Sequence, residues 1–342
     1  MQKMIANLGQ IALISLGIYL AIALILIATD RPVDPVVEDE PVSMNSLLTA
    51  SYTELPPLQT YTGQDGAALA YRFYASRQPS DKVLFLLHGS GWHSMQFHPL
   101  ASALSGNGLA HVVAPDLRGH GAAPARRGDV ETIGQLEDDL AALIQTVLRD
   151  YPGAQVIVGG HSSGGGLAVR FAGGAHGALA DAYLLLAPFL KYNAPTTRPD
   201  SGGWAQPNAR RIVGLSMLNR LGISWLNGLT VIRFAMPQAV LDGPLGHTAT
   251  TAYSYRLNTS FAPRANYNDD LAAMQQPFLL VAGEADESFV AEAYEPVISA
   301  YTDSGAYVLL PDTGHIDLLT NPQLVPLMEA WLANDFTQES IK

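Results

Sequence analysis

Gly160-His161-Ser162-Ser163-Gly164 sets a serine between glycines two residues before it and two after. This G-x-S-x-G spacing suits a nucleophile carried on a sharp strand-to-helix turn, where the backbone is strained and nearby side chains would collide. The flanks agree. Val156-Ile157-Val158 enters as strand sequence, and Leu167 to Ala172 leaves with helical spacing. A Gly-rich loop with no chemistry would fit the same five residues, so the companions decide.

A catalytic serine needs a general base, a carboxylate to orient that base, and donors for the oxyanion. Of the nine histidines, His315 alone falls in a loop after the last predicted strand, within Pro311-Asp312-Thr313-Gly314-His315. The strand before it ends in Gly283-Glu284-Ala285-Asp286-Glu287. Asp286 is the expected acid, because Ser…Asp…His is a known chain order for such a triad; Glu284 and Glu287 are the alternatives. The oxyanion donors are expected to be the backbone N–H groups of Ser163, directly after the nucleophile, and of Ser90. The latter lies in His88-Gly89-Ser90-Gly91-Trp92-His93-Ser94, after the first buried strand.

Positioning these groups requires strands that end at one edge of a sheet. Apolar runs at Lys82–Leu87 and Ala110–Pro115 read as strands buried on both faces, and Val156–Val158, Ala182–Ala187, Pro277–Ala282 and Ala306–Leu310 as further strands. Helical patterns separate them, at Phe97–Leu104, Thr132–Arg149, Val290–Ala300 and Pro322–Ala333. Ala68–Tyr74 reads as a strand of an opening hairpin. The alternation predicts an α/β fold, a mostly parallel twisted sheet with helices on both faces. Phe189 to Pro263 breaks the rhythm. A connection that long has structure of its own, and its apolar spacing (Ile212, Leu215, Leu218, Leu221) predicts a helical cap over the site.

A net charge of −12 leaves no basic stripe for nucleic acid. With no cysteine, a thiolate metal site and a Cys nucleophile are excluded. Asp269-Asp270 has no nearby histidine and reads as a solvated pair, so no metal and no cofactor is expected. Ile11 to Ala28 carries no charge and, extended toward Ile5, reaches the roughly 20 residues that span a bilayer. It exceeds the 7–15 residues usual for a signal-peptide core. Residues 1–29 are therefore expected to be a retained membrane anchor. Residues 30–57, acidic and Pro-containing, read as an extended tether, and 58–342 as the folded domain. Lys3 and the α-amine ahead of the span favour an N-terminus inside and a catalytic domain outside the cytoplasm.

From about Tyr61 to the C-terminus the chain resembles the α/β-hydrolase superfamily, within it the branch of monoglyceride lipases, lysophospholipases and serine-aminopeptidase-like proteins. His88 to Ser94 is similar to that branch's H-G-x-G-x-H-S loop. Asp116-Leu117-Arg118-Gly119-His120-Gly121 is similar to its D-x-R-G-H-G turn, and Gly160 to Gly165 to its G-H-S-x-G-G elbow. The resemblance implies Ser162, Asp286 and His315 as triad, Ser90 and Ser163 as oxyanion donors, and a structural role for the Asp116–Gly121 turn. It also implies an acyl-enzyme on Ser162 and a small-molecule ester or lipid substrate. Peptidase, amidase and acyltransferase chemistry use the same triad and stay open. A non-catalytic binding protein on this fold would be expected to carry a damaged triad.

Overall fold

Continuous apolar runs become the buried strands of one eight-stranded sheet in the computed structural model, which describes residues 2–33, 35 and 42–337. The strands in chain order are β1 (Leu58–Thr62), β2 (Ala68–Tyr74), β3 (Lys82–Leu87), β4 (His111–Asp116), β5 (Gln155–His161) and β6 (Ala182–Leu186). After a long insertion that holds β7 (Ala205–Pro207), β8 (Thr230–Phe234) and β9 (Ala252–Ser254), the sheet is completed by β10 (Phe278–Gly283) and β11 (Gly305–Leu310). Its order is β1-β2-β4-β3-β5-β6-β10-β11. Pairing is parallel from β4 to β11, and β2 runs antiparallel to both β1 and β4. This is the mostly parallel α/β sheet that the alternating strands and helices predict, in the form that the resemblance to α/β-hydrolases implies.

Register places the chemistry. Leu87 pairs with Gly160, so the loop after β3 starts beside the elbow after β5. Gly283 pairs with Leu310, so the loops after β10 and β11 adjoin at the same sheet edge. Open parallel sheets carry their sites at that edge. Behind it, α4 (Gln135–Val147) covers the sheet with Leu136, Leu140, Leu143 and Val147, a 3.6-residue spacing that buries one face completely. In chain order the helices used below are α1 (Gln2–Thr29), α2 (Asn45–Thr49), α3 (His98–Gly106), α4, α5 (Ser163–Ala172) and α6 (Ala209–Asn219).

Beside its helices, the insertion contains the antiparallel sheet β7-β8-β9, which the apolar spacing does not reveal. Two of its strands are three residues long, too short for a period-two pattern to register. Asp270 also departs from expectation: it is buried and pairs with Arg264 at 2.6 Å. Among the described residues, no cluster of His, Asp and Glu could hold a metal ion.

Residues 42–57 are packed, in contrast to the tether expected of the whole 30–57 stretch. Val42, Met44 and Leu47 join the main core, and Tyr52 donates to the Leu47 carbonyl at 2.8 Å while stacking on His98. The apolar helix α1 also packs. Ala23 and Ile27 form a second, smaller core with Leu215, Leu218, Val231 and Tyr255 of the insertion. Gly214 permits the approach, since a Cβ there would lie 2.6 Å from the Ala23 carbonyl oxygen. The Asp30 carboxylate accepts from Asn208 Nδ2 at 3.0 Å and from the Arg211 backbone N–H at 3.2 Å.

Candidate active site

Ser162 sits between β5 and α5 with φ 55° and ψ −120°, a region that a non-glycine residue occupies only when its surroundings hold it there. The glycines make that possible. A Cβ on Gly160 would strike the Gly164 backbone, and one on Gly164 would strike the Leu87 carbonyl of β3. Two hydrogen bonds fix the turn itself: the Ser162 N–H donates to Leu186 O at 2.9 Å, and Gly166 N–H to Ser162 O at 3.0 Å. Ser163 begins α5, where the first N–H groups lack intrahelical acceptors and the helix dipole is positive.

The loops after β10 and β11 bring the acid and base candidates together. His315 Nδ1 lies 2.8 Å from Asp286 Oδ2, with both residues buried. The other oxygen, Oδ1, accepts the Ser288 and Phe289 backbone N–H groups at 2.8 Å each. Burial alone would raise the Asp286 pKa. The neighbouring His315 charge and these hydrogen bonds outweigh it and hold the carboxyl below its ordinary range. Glu287 takes a different post, accepting the His315 main-chain N–H at 2.7 Å. Glu284 is exposed.

Ser162, Ser90 and His315 line one cavity, with about 340 Å³ of empty space. A second, with about 510 Å³ of empty space counting its opening to solvent, is lined by Ser162, Ser90 and Ser163 and by the apolar side chains of Phe189, Ile232, Phe234, Phe261 and Phe289. The two therefore meet at Ser162 and Ser90, with Trp204 of the insertion shared between them. Trp204 Nε1 donates to Ser90 Oγ at 3.0 Å, tying the insertion to the loop after β3.

Behind the cavities runs a network of neutral histidines, whose tautomers follow from their partners. His161 Nε2 faces the His315 carbonyl at 3.0 Å, so it carries the proton; Nδ1 then accepts from Gln96 Nε2 at 3.0 Å. Gln96 Oε1 in turn accepts the Gly89 N–H at 2.7 Å. His120 Nδ1 donates to the Arg118 carbonyl at 3.1 Å, which leaves Nε2 to accept from Tyr253 Oη at 2.7 Å. Tyr253 Oη itself accepts the Gly91 N–H at 2.8 Å. Asp116 Oδ1 accepts the Ser94 N–H at 2.9 Å, and Arg118 forks between Asp65 and Asp139. The Asp116–Gly121 turn thus holds neighbouring loops.

Tyr253→Phe removes the acceptor for the Gly91 N–H and a buried hydroxyl. It is expected to lower kcat about tenfold by loosening the loop that carries Ser90, with a smaller effect on KM. Steady-state kinetics on one ester check it.

Burial drives the pKa values of His88 and His161 to about 3, of His93 to about 4, and of His120 well below its ordinary value. In the unfolded chain each titrates near 6.5. Between those limits the unfolded state binds more protons, so stability is fully present above about pH 6.5 and falls as pH drops toward 4. Each histidine contributes at most about 1.4 kcal/mol per pH unit. Urea midpoints are therefore expected to stay level from pH 7.5 to about 6.5 and to fall from there to pH 5; a profile flat down to pH 5 would contradict the neutral network.

Gln96, His161, Trp204 and Tyr253 were not assigned roles from sequence alone. Gln96 and Tyr253 lie in no chemical motif, while Trp204 signals itself only as a bulky residue in the insertion.

Residues 78–301, well over half of the chain, match the family model described as serine aminopeptidase, S33. Human monoglyceride lipase is 30% identical over 168 residues, 49% of this chain and 52% of that protein. Monoacylglycerol lipase of Mycolicibacterium smegmatis is 31% identical over 112 residues, 33% and 40% of the two chains. The matched stretch thus spans about half or less of these relatives' lengths. Among solved structures, a soluble variant of Saccharomyces cerevisiae monoglyceride lipase in complex with a substrate analog superposes with a TM-score of 0.65 at 19% identity, covering 84% of this chain and 99% of that one. Motifs, fold and family match agree, and the chain belongs to the serine aminopeptidase S33 family of α/β-hydrolases.

Proposed function

We propose that this protein is a membrane-anchored serine hydrolase that cleaves carboxylic esters of acyl lipids or similar apolar acids. The observation that supports the reading is that Ser162 and His315 line one cavity while Asp286 lies beside His315. Ser162, on its strained turn, opens onto the cavity that His315 lines, and Asp286 holds His315 at 2.8 Å. His315 Nε2 takes the Ser162 hydroxyl proton as Oγ attacks the ester carbonyl carbon. The Ser90 and Ser163 N–H groups receive the charge that develops on the carbonyl oxygen. His315 then gives its proton to the leaving alkoxide, and water, deprotonated by the same imidazole, releases the acid from Ser162.

The geometry also suggests which side takes which half of the ester. The leaving oxygen must lie within reach of His315, which lines the smaller cavity and not the larger. The acyl chain is then assigned to the larger cavity, whose phenylalanines suit a hydrocarbon chain. The monoglyceride and monoacylglycerol lipase relatives support an ester of this kind. The experiment is a fluorophosphonate label mapped by peptide mass, followed by p-nitrophenyl esters of graded chain length beside matching anilides. The expected result is one adduct on Ser162 and ester turnover that rises with chain length. Faster anilide turnover would instead favour a peptidase.

The anchor reading rests on Asn7–Thr29, a 23-residue stretch of mean hydropathy 2.8. At about 1.5 Å per residue it reaches roughly 35 Å, enough for a hydrocarbon core of about 30 Å. The catalytic domain is assigned to the extracytoplasmic side from Lys3 ahead of the span. Protease protection in sealed vesicles tests that orientation.

A further inference from the structure

The smaller cavity has a wall that the proposed catalytic groups do not require. Val42, Met44 and Leu47 line it together with Trp92, Ser162 and His315. All three are at most 5% exposed, although they lie ahead of the first strand and outside the stretch that matches the family model.

This segment is built in. The Leu47 and Leu48 N–H groups donate to the Met44 carbonyl at 3.1 and 3.0 Å, starting the single turn of α2. Glu287 ties it to the base: Oε2 accepts the His315 N–H at 2.7 Å, and Oε1 accepts the Ser43 N–H over a long 3.5 Å. One carboxylate therefore links both segments. Trp92 is 4% exposed and lines this cavity, yet its Nε1–H has no acceptor among the described residues. A buried donor of that kind costs free energy unless something accepts from it.

We propose that Val42, Met44 and Leu47 form the wall of a leaving-group subsite, so that the first packed residues after the apolar helix set the size of alcohol the enzyme accepts. The assignment rests on the ester-hydrolase reading, in which the alcohol occupies the cavity on the His315 side. The limited space on this side fits a compact alcohol. The long apolar part of the substrate occupies the other cavity.

Two ester series on the full-length protein in detergent micelles separate the sides. One keeps a butyryl group and changes the alcohol from methanol to glycerol to 1-octanol. The other keeps p-nitrophenol and changes the acyl chain from acetyl to decanoyl. Leu47→Ala removes wall volume and should raise the octyl-to-methyl ratio of kcat/KM about tenfold. Met44→Trp adds volume and should lower it by a similar factor. Ratios along the acyl series should move less than about twofold in either variant. Each ratio is taken within one protein, so a partly misfolded preparation leaves it unchanged, and Val42→Ala gives a milder third variant. Unchanged alcohol ratios, or equal shifts along both series, would overturn the wall assignment. Wild-type protein that turns over neither series would instead overturn the ester reading, before any variant is compared.

Discussion

Ser162→Ala is expected to lower kcat for any ester substrate by a factor on the order of 10⁴ to 10⁶, with KM within a few-fold of wild type. The loss follows from the order of events. Without Oγ there is no acyl-enzyme, and His315 has no hydroxyl to deprotonate. The cavities, the Ser90 and Ser163 N–H groups and the packing all remain, so substrate still binds. A residual rate above that of free water is expected from the oxyanion donors alone. Alanine also fits structurally, although φ 55° stays unfavourable for it; glycine at this position would relieve the strain and should raise the melting temperature slightly. Fluorophosphonate labelling must vanish in parallel. If Ser162→Ala protein kept wild-type turnover, the nucleophile would lie elsewhere and the reading of the site would be wrong.

The second large effect is at Asp286. Asp286→Asn is expected to lower kcat by about 10⁴-fold while leaving the fold intact. Oδ1 already accepts the Ser288 and Phe289 N–H groups, so an asparagine would keep its carbonyl there. Its NH₂ would then face His315 Nδ1, a donor against the position that must itself donate. His315 would be forced to carry its proton on Nε2, where it cannot take one from Ser162. Glu287 is the control. Glu287→Gln keeps an acceptor for the His315 main-chain N–H and should cost tenfold or less. Glu284 is exposed, and Glu284→Gln should have no measurable effect. Equal losses at Asp286 and Glu287 would argue that the loop as a whole, rather than one carboxylate, supports His315.

Much of the architecture can be read from residue order because the chemistry-bearing loops follow strongly apolar strands. Lys82–Leu87 and Ala68–Tyr74 coincide with β3 and β2; the runs near 182 and 305 differ from the observed strands by one residue at one end, and those near 111 and 278 are shifted by one residue at both ends. Strand order places Asp286 and His315 in adjacent loops; their 2.8 Å approach depends on the β10–β11 register, which no local pattern encodes. Residues 42–57 were read differently, since the acidic, Pro-containing stretch before them carries the composition of a tether. Met44 and Leu47 have no periodic neighbours to reveal a buried face. The insertion misled in its secondary structure, because β7 and β9 pair through β8 over three residues each. Long-range polar contacts such as Trp204 to Ser90 span 114 positions and leave no trace in sequence spacing.

The seam between α1 and α6 has a kinetic meaning. A flexible stalk would let the catalytic domain tumble above a bilayer and meet substrate from any direction. Here Tyr19 donates to the Met217 carbonyl, Ala23 and Ile27 pack on the insertion, and Asp30 binds the start of α6. On the anchor reading, the packing of α1 from Tyr19 onward draws the insertion down to the lipid surface, and the attachment limits the tilt of the whole protein against it. Encounters then become two-dimensional, and turnover of a lipid ester should track its mole fraction in the surface rather than its concentration in the bulk. Diluting the substrate with inert lipid at constant total amount would slow the reaction, whereas adding more vesicles of the same composition would not.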